Sequence, residues 1–166
     1  MSTCPLCSNH FPGDARVCPH DGASLISEDI LSEPMLTAGQ MVGEYQVEAH
    51  IGEGGFGAVY SAIHPVIGKR AAIKVLSRAC SSNPEIVSRF VSEARSVNQI
   101  RHRNIVDIFA FGALPDGRQF LVMELLDGVS LGAHLRKHGP LSIEQSLPIL
   151  RAIARAVDAA HAAGIV

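Results

Sequence analysis

Three short stretches, taken in order, constrain this chain more than any other feature. A glycine-rich turn is followed by an apolar strand with one lysine, and then by an amphipathic helix with a glutamate beside its apolar stripe. The turn is Ile51-Gly52-Glu53-Gly54-Gly55-Phe56-Gly57-Ala58-Val59, with G-x-G-x-x-G at Gly52, Gly54 and Gly57. Alone this spacing is weak, because glycines also make ordinary hairpins. Its chemical meaning is that a missing side chain lets backbone N–H groups approach phosphate oxygens closely. A dinucleotide fingerprint requires the loop to open a helix, with an acid about twenty residues on. Here it runs into Ala58-Val-Tyr-Ser-Ala-Ile63, β-branched and aromatic, so the spacing predicts a hairpin over phosphates.

The next strand reads Ala71-Ala-Ile-Lys74-Val-Leu76. An unpaired ammonium in such a strand is costly, so Lys74 either reaches solvent from a sheet edge or is held for a phosphate and a carboxylate. In the helix that follows, Ile86, Phe90, Ala94 and Val97 make one stripe at helical spacing, and Glu93 borders it. A Lys74–Glu93 ion pair is the expectation.

Around this centre the chain divides into residues 1–23, short and cysteine-bearing, residues 24–43, read as a linker, and residues 44–166, where strand-like and helix-like stretches alternate without long gaps. Strands are predicted near 45–51, 58–63, 70–76, 106–112 and 119–124. Helices are predicted over 84–100, with Asn83 as N-cap and Pro84 in the first turn, over 130–137, and over 142–163. Ser142 and Gln145 have capping-box spacing. Pro148 inside the last helix predicts a kink or a later start.

Gly-x-Gly-Gly-Phe-Gly-x-Val-Tyr, then Ala-Ile-Lys74, then Met123-Glu-Leu-Leu126-Asp-Gly128 resembles the protein kinase family, specifically the eukaryotic-like serine/threonine kinases of bacteria, over about Gly43 to Val166. The resemblance implies an α+β, protein-kinase-like fold: a kinase N-lobe, a five-stranded antiparallel sheet with its αC helix, and the first helices of the second lobe. It implies ATP with Mg²⁺, and transfer of the γ-phosphoryl group to a protein hydroxyl. Ile51 to Gly57 and Val59 would cover the phosphates, and Ala72 would line the adenine pocket. Lys74 would hold the α- and β-phosphates and pair with Glu93. Met123 would be the gatekeeper, with backbone groups of Glu124 and Leu126 hydrogen-bonding adenine.

The family's catalytic loop, His-Arg-Asp with a following Lys and Asn, has no counterpart in these residues, and it would begin where His161-Ala-Ala-Gly-Ile-Val166 closes the sequence. His102-Arg103-Asn104 and Ala110-Phe111-Gly112 imitate the catalytic and metal-binding motifs but stand before and within the fourth strand, so both read as structural. A positioned base is worth about 10²–10⁴ in rate. The expectation is a truncated kinase that holds ATP and does not itself phosphorylate protein. Leu147, Leu150, Ile153 and Val157 on the last helix are expected to need the rest of the second lobe for burial. The competing reading is a non-catalytic interaction protein with a kinase-like scaffold.

Three of the four cysteines fall in Cys4-Pro-Leu-Cys7 and Cys18-Pro-His20-Asp21-Gly22. Two knuckle-like turns of this kind suit a structural Zn²⁺ held by Cys4, Cys7, Cys18 and either Asp21 or His20. The alternative is a disordered tail with reactive thiols. The stretch also resembles zinc-ribbon heads that precede bacterial kinase domains, which implies a docking or regulatory role and a protein partner. A net charge of −2 gives no reason to expect nucleic-acid binding. With no spanning apolar run and no signal-peptide pattern, a cytoplasmic setting is expected.

Overall fold

The computed structural model describes residues 2–4, 9–12, 15–22, 25–27 and 34–165. Near the N-terminus, β1 (Ser2–Thr3) pairs antiparallel with β2 (His10–Phe11) and with β3 (Ile26–Ser27), in the order β2-β1-β3. Cys4, Cys18 and Leu25 form a small buried cluster beside them. The head thus runs past residue 23, because the Leu25-Ile26 pair supplies both a core side chain and the closing strand.

The main sheet has six strands in the order β4-β5-β6-β7-β9-β8. These are β4 (Met41–Val42), β5 (Tyr45–Gly54), β6 (Gly57–Ile63), β7 (Arg70–Leu76), β8 (Ile108–Ala113) and β9 (Gln119–Met123). All pairings are antiparallel. Five of these strands are those expected from the sequence, and β4 is an added edge strand. The expected linker 24–43 is therefore lobe at its end. Leu36 and Val42 are buried with Tyr45, Val47, Tyr60, Ile73 and Val122, and the N–H of Leu36 donates to the Tyr60 hydroxyl at 3.3 Å. Burying apolar side chains of that size contributes about 1.5–3 kcal/mol each.

A short helix, α1 (Arg78–Ser81), leads into α2 (Pro84–Ile100). The Asn83 side chain accepts from the N–H groups of Glu85 and Ile86, which starts α2 where the cap and Pro84 predict. The helix ends at Arg101, which takes the left-handed conformation with φ 43°. Phe90 and Ala94 are its buried residues, packed with Leu76, Cys80 and Leu121. Asn98 fastens its last turns to the sheet: the side-chain amide donates to the Ile108 carbonyl at 2.9 Å and accepts from the Ile108 N–H at 3.1 Å.

In the turn between β8 and β9, Arg118 is buried and its Nε lies 2.8 Å from the Asp116 carboxylate. Burial pushes the Asp116 pKa up, but the Arg118 backbone N–H and guanidinium outweigh it and hold the carboxyl below its ordinary value.

Two helices follow, α3 (Leu131–His138) and α4 (Ile143–Ala162). The Ser142–Gln145 capping box is formed, and α4 runs through Pro148 without a later start. Its outer stripe is open: Leu147, Leu150, Ile153 and Val157 are all exposed. Among the described residues no helix is long and apolar enough to cross a membrane.

Candidate functional site

Strand register assembles the site. Side chains two apart on a strand share a face, and register partners on adjacent strands stand beside one another. Val59, Lys74 and Leu121 form one cross-strand row, and Ser61, Ala72 and Met123 form the next on the same face. The hairpin of Gly52 to Gly57 continues from this face, with Gly52 opposite Val59 and Gly54 opposite Gly57. Ala72 is buried, Val59, Lys74 and Met123 are half-buried, and Ile51, Glu53 and Phe56 are exposed. The result is a small apolar floor with one cation, overhung by a glycine hairpin.

The hairpin's glycines differ. A Cβ on Gly57 would stand 2.0 Å from the Val75 carbonyl oxygen, and φ there is +144°. A Cβ on Gly52 or Gly54 would meet nothing within 4 Å. The fold therefore requires glycine at Gly57 but leaves the space beside Gly52 and Gly54 open.

Lys74 and Glu93 are not paired. Among the described residues no ion pair joins them, and Glu93 is exposed. The Lys74 ammonium instead lies 5.7 Å from the Phe90 ring centroid. The sequence placed Glu93 at the border of the buried stripe but could not fix the rotation of α2, which turns Phe90 and Ala94 inward and leaves Glu93 on the water side.

After β9 the chain leaves the sheet through Glu124 and Leu126, both exposed. The N–H of Glu124 donates to the Asp107 carbonyl at 2.9 Å. No hydrogen bond among the described residues occupies the Glu124 carbonyl oxygen or the Leu126 N–H.

In the head, the Cys4 and Cys18 thiols and the Asp21 carboxylate lie within 4.8 Å of one another, with both cysteines buried. Cys4 Sγ is 3.2 Å from Asp21 Oδ2. His20 is directed to Phe11, ring centroids 6.0 Å apart. Cys7 lies outside the described residues.

Residues 45–166 match the protein kinase domain family. The chain belongs to the protein kinase family. It is 44% identical to the serine/threonine-protein kinase Pkn1 of Myxococcus xanthus over 176 residues, covering 98% of this chain and 24% of Pkn1, so that match takes in the cysteine head. It is 39% identical to PknE of Mycobacterium bovis over 126 residues, covering 76% of this chain and 22% of PknE. The crystal structure of the Mycobacterium tuberculosis PknI kinase domain superposes with a TM-score of 0.68 at 30% identity, covering 78% of this chain and 52% of that one. The chain spans about a quarter of the length of these curated kinases.

As a kinase lobe, the sheet with α2 is the N-terminal part of a eukaryotic-like bacterial serine/threonine kinase fold. The two imitation motifs sit in structural surroundings. His102 Nδ1 accepts from the Asn104 N–H in a turn, and Phe111 packs edge-on against Phe90 with centroids 6.3 Å apart. Asn98 is the residue that sequence reading missed. A polar side chain on a helix reads as solvent-facing, and nothing local announces a partner in β8.

Proposed function

We propose that the lobe binds ATP and is the nucleotide-holding part of a kinase that phosphorylates serine and threonine hydroxyls of proteins. The observation that carries this reading is the open space beside Gly52 and Gly54, which backbone geometry and packing do not demand. A phosphate chain lying close against the backbone of this hairpin accounts for it. In this reading Lys74 reaches the α- and β-phosphates, and Mg²⁺ enters as their counter-ion. The Ala72–Met123 row floors the adenine. The Glu124 carbonyl accepts from the adenine amino group and the Leu126 N–H donates to the ring. Glu93 joins Lys74 after α2 turns.

The test separates folding from binding. Gly52→Ala and Gly54→Ala should keep or slightly raise the denaturation midpoint, because glycine costs a strand about 0.5–1 kcal/mol relative to alanine. Each should weaken ATP about tenfold or more, the scale of one lost hydrogen bond to a charged group at about 1.5–3 kcal/mol. Unchanged ATP affinity in both would sink the phosphate reading. A well-folded chain that binds no nucleotide would favour a non-catalytic interaction protein.

We further infer a structural Zn²⁺ in the head, held by Cys4, Cys18 and Asp21, with Cys7 as the fourth donor. Two buried thiols and a carboxylate converging on one point are supported by the chemistry of such sites. A head this small has little core, and metal binding worth about 10–16 kcal/mol would supply most of its folding energy. Metal analysis of the purified chain should find one zinc per polypeptide, and Asp21→Ala should lower its retention.

A further inference from the structure

A cavity of about 280 Å³ lies between the head and the lobe. Arg16 and Leu25 line it from the head, and Phe56, Cys80, Asn83 and Ile86 from the lobe. We propose that this is a docking contact through which metal binding in the head and nucleotide binding in the lobe are coupled. The proposal rests on the zinc and ATP readings above.

On the head's side, Leu25 belongs to the same buried cluster as Cys4 and Cys18. Its N–H donates to the Arg16 carbonyl at 3.0 Å, so the surface offered to the lobe is continuous with the metal ligands. Loss of metal would loosen both residues together, because the two thiols make up most of the buried cluster that Leu25 joins.

On the lobe's side, the contact reaches two parts of the nucleotide site, the glycine hairpin and α2. Phe56 is at the tip of the glycine hairpin and half exposed, and its carbonyl accepts from the Ser77 N–H at 2.9 Å. The Ser77 hydroxyl oxygen in turn accepts from the Cys80 N–H at 3.1 Å. Asn83 caps α2, and Ile86 packs against the cluster that contains Phe90. A head seated here therefore biases the hairpin tip and the rotation of α2, the motion that would carry Glu93 to Lys74. An intervening cavity means loose packing, so the coupling should lie toward the low end of the usual range.

The test uses the full 166-residue chain. ATP affinity is measured with zinc bound and after chelation, and amide hydrogen exchange is followed at residues 55–56 and 79–86. Chelation should shift the ATP Kd by about fivefold or more, the lower bound for coupled sites, and should raise exchange at those positions. Ala79→Trp places a wedge in the cavity from an exposed position. It should retain zinc and ATP binding while removing the difference between the two states. Equal Kd and equal exchange with and without zinc would overturn the coupling and leave the ATP reading standing. If neither state binds ATP, the nucleotide reading fails, and exchange decides the contact: a rise on chelation supports docking, no change refutes it. A chain that takes up no zinc refutes the metal dependence outright.

Discussion

Gly57→Ala should destabilise the lobe by about 3 kcal/mol or more, a large share of the roughly 5–15 kcal/mol that holds a typical domain. Gly57 opens β6 opposite Leu76 of β7, close enough that its missing side chain is part of the pairing. A methyl group there would lie 2.0 Å from the Val75 carbonyl oxygen, 2.9 Å from the Ser77 nitrogen and 3.0 Å from the Leu76 Cα. All three are backbone atoms, two at the end of β7 and one in the N-cap residue that follows it, so none can rotate aside as a side chain would. The φ of +144° adds a conformational penalty for any residue with a Cβ. Gly112→Ala is the useful contrast. Its Cβ would meet the Phe120 ring at 2.7 Å, a side chain that can shift, and the expected loss is smaller. Denaturant titration of both variants beside Gly52→Ala would rank them. A Gly57→Ala protein within 1 kcal/mol of the parent would show that this strand yields more easily than its register implies.

That contrast also marks what the sequence can and cannot say. The G-x-G-x-x-G spacing names three glycines alike, yet one is needed by the sheet and two leave room for a ligand. Only the positions of Val75 and Ser77, far along the chain, tell them apart. Where the signal is local it was legible. Asn83 and Pro84 set the start of α2, Ser142 and Gln145 set the start of α4, and β-branched, aromatic and apolar runs marked β6 and β7. Where it depends on distant partners it was not. Met41–Val42 pairs as an edge strand between glycines that read as linker, and Leu36 is fixed by a tyrosine hydroxyl 24 residues on. The Asn98 clamp on Ile108 is of the same kind. The rotation of α2 is a further case, because a stripe of Ile86, Phe90, Ala94 and Val97 defines a face to within about one residue, and Glu93 and Phe90 compete for the position near Lys74.

Lys74→Met should leave the nucleotide-free lobe as stable as the parent or slightly more so, while ATP affinity falls at least tenfold. Lys74 is half-buried and stands between Val59 and Leu121 in the sheet register, with no carboxylate within ion-pair distance among the described residues. Among the described residues its cationic group has the Phe90 ring as a neighbour at 5.7 Å, near the limit of a cation–π contact and worth about 0.5–1 kcal/mol. Methionine fills a similar volume without a charge to desolvate, so the exchange costs the empty lobe little. For the same reason Glu93→Gln should change the stability of the empty lobe by less than about 0.5 kcal/mol. Breaking a formed buried pair would instead cost about 3–5 kcal/mol. In a kinase chain that contains the catalytic loop, Lys74→Met should abolish phosphotransfer. Stability maintained while binding is lost identifies a side chain kept for a ligand. If Lys74→Met instead loses several kcal/mol of stability while ATP affinity holds, the lysine is a structural residue and the phosphate role assigned to it is wrong.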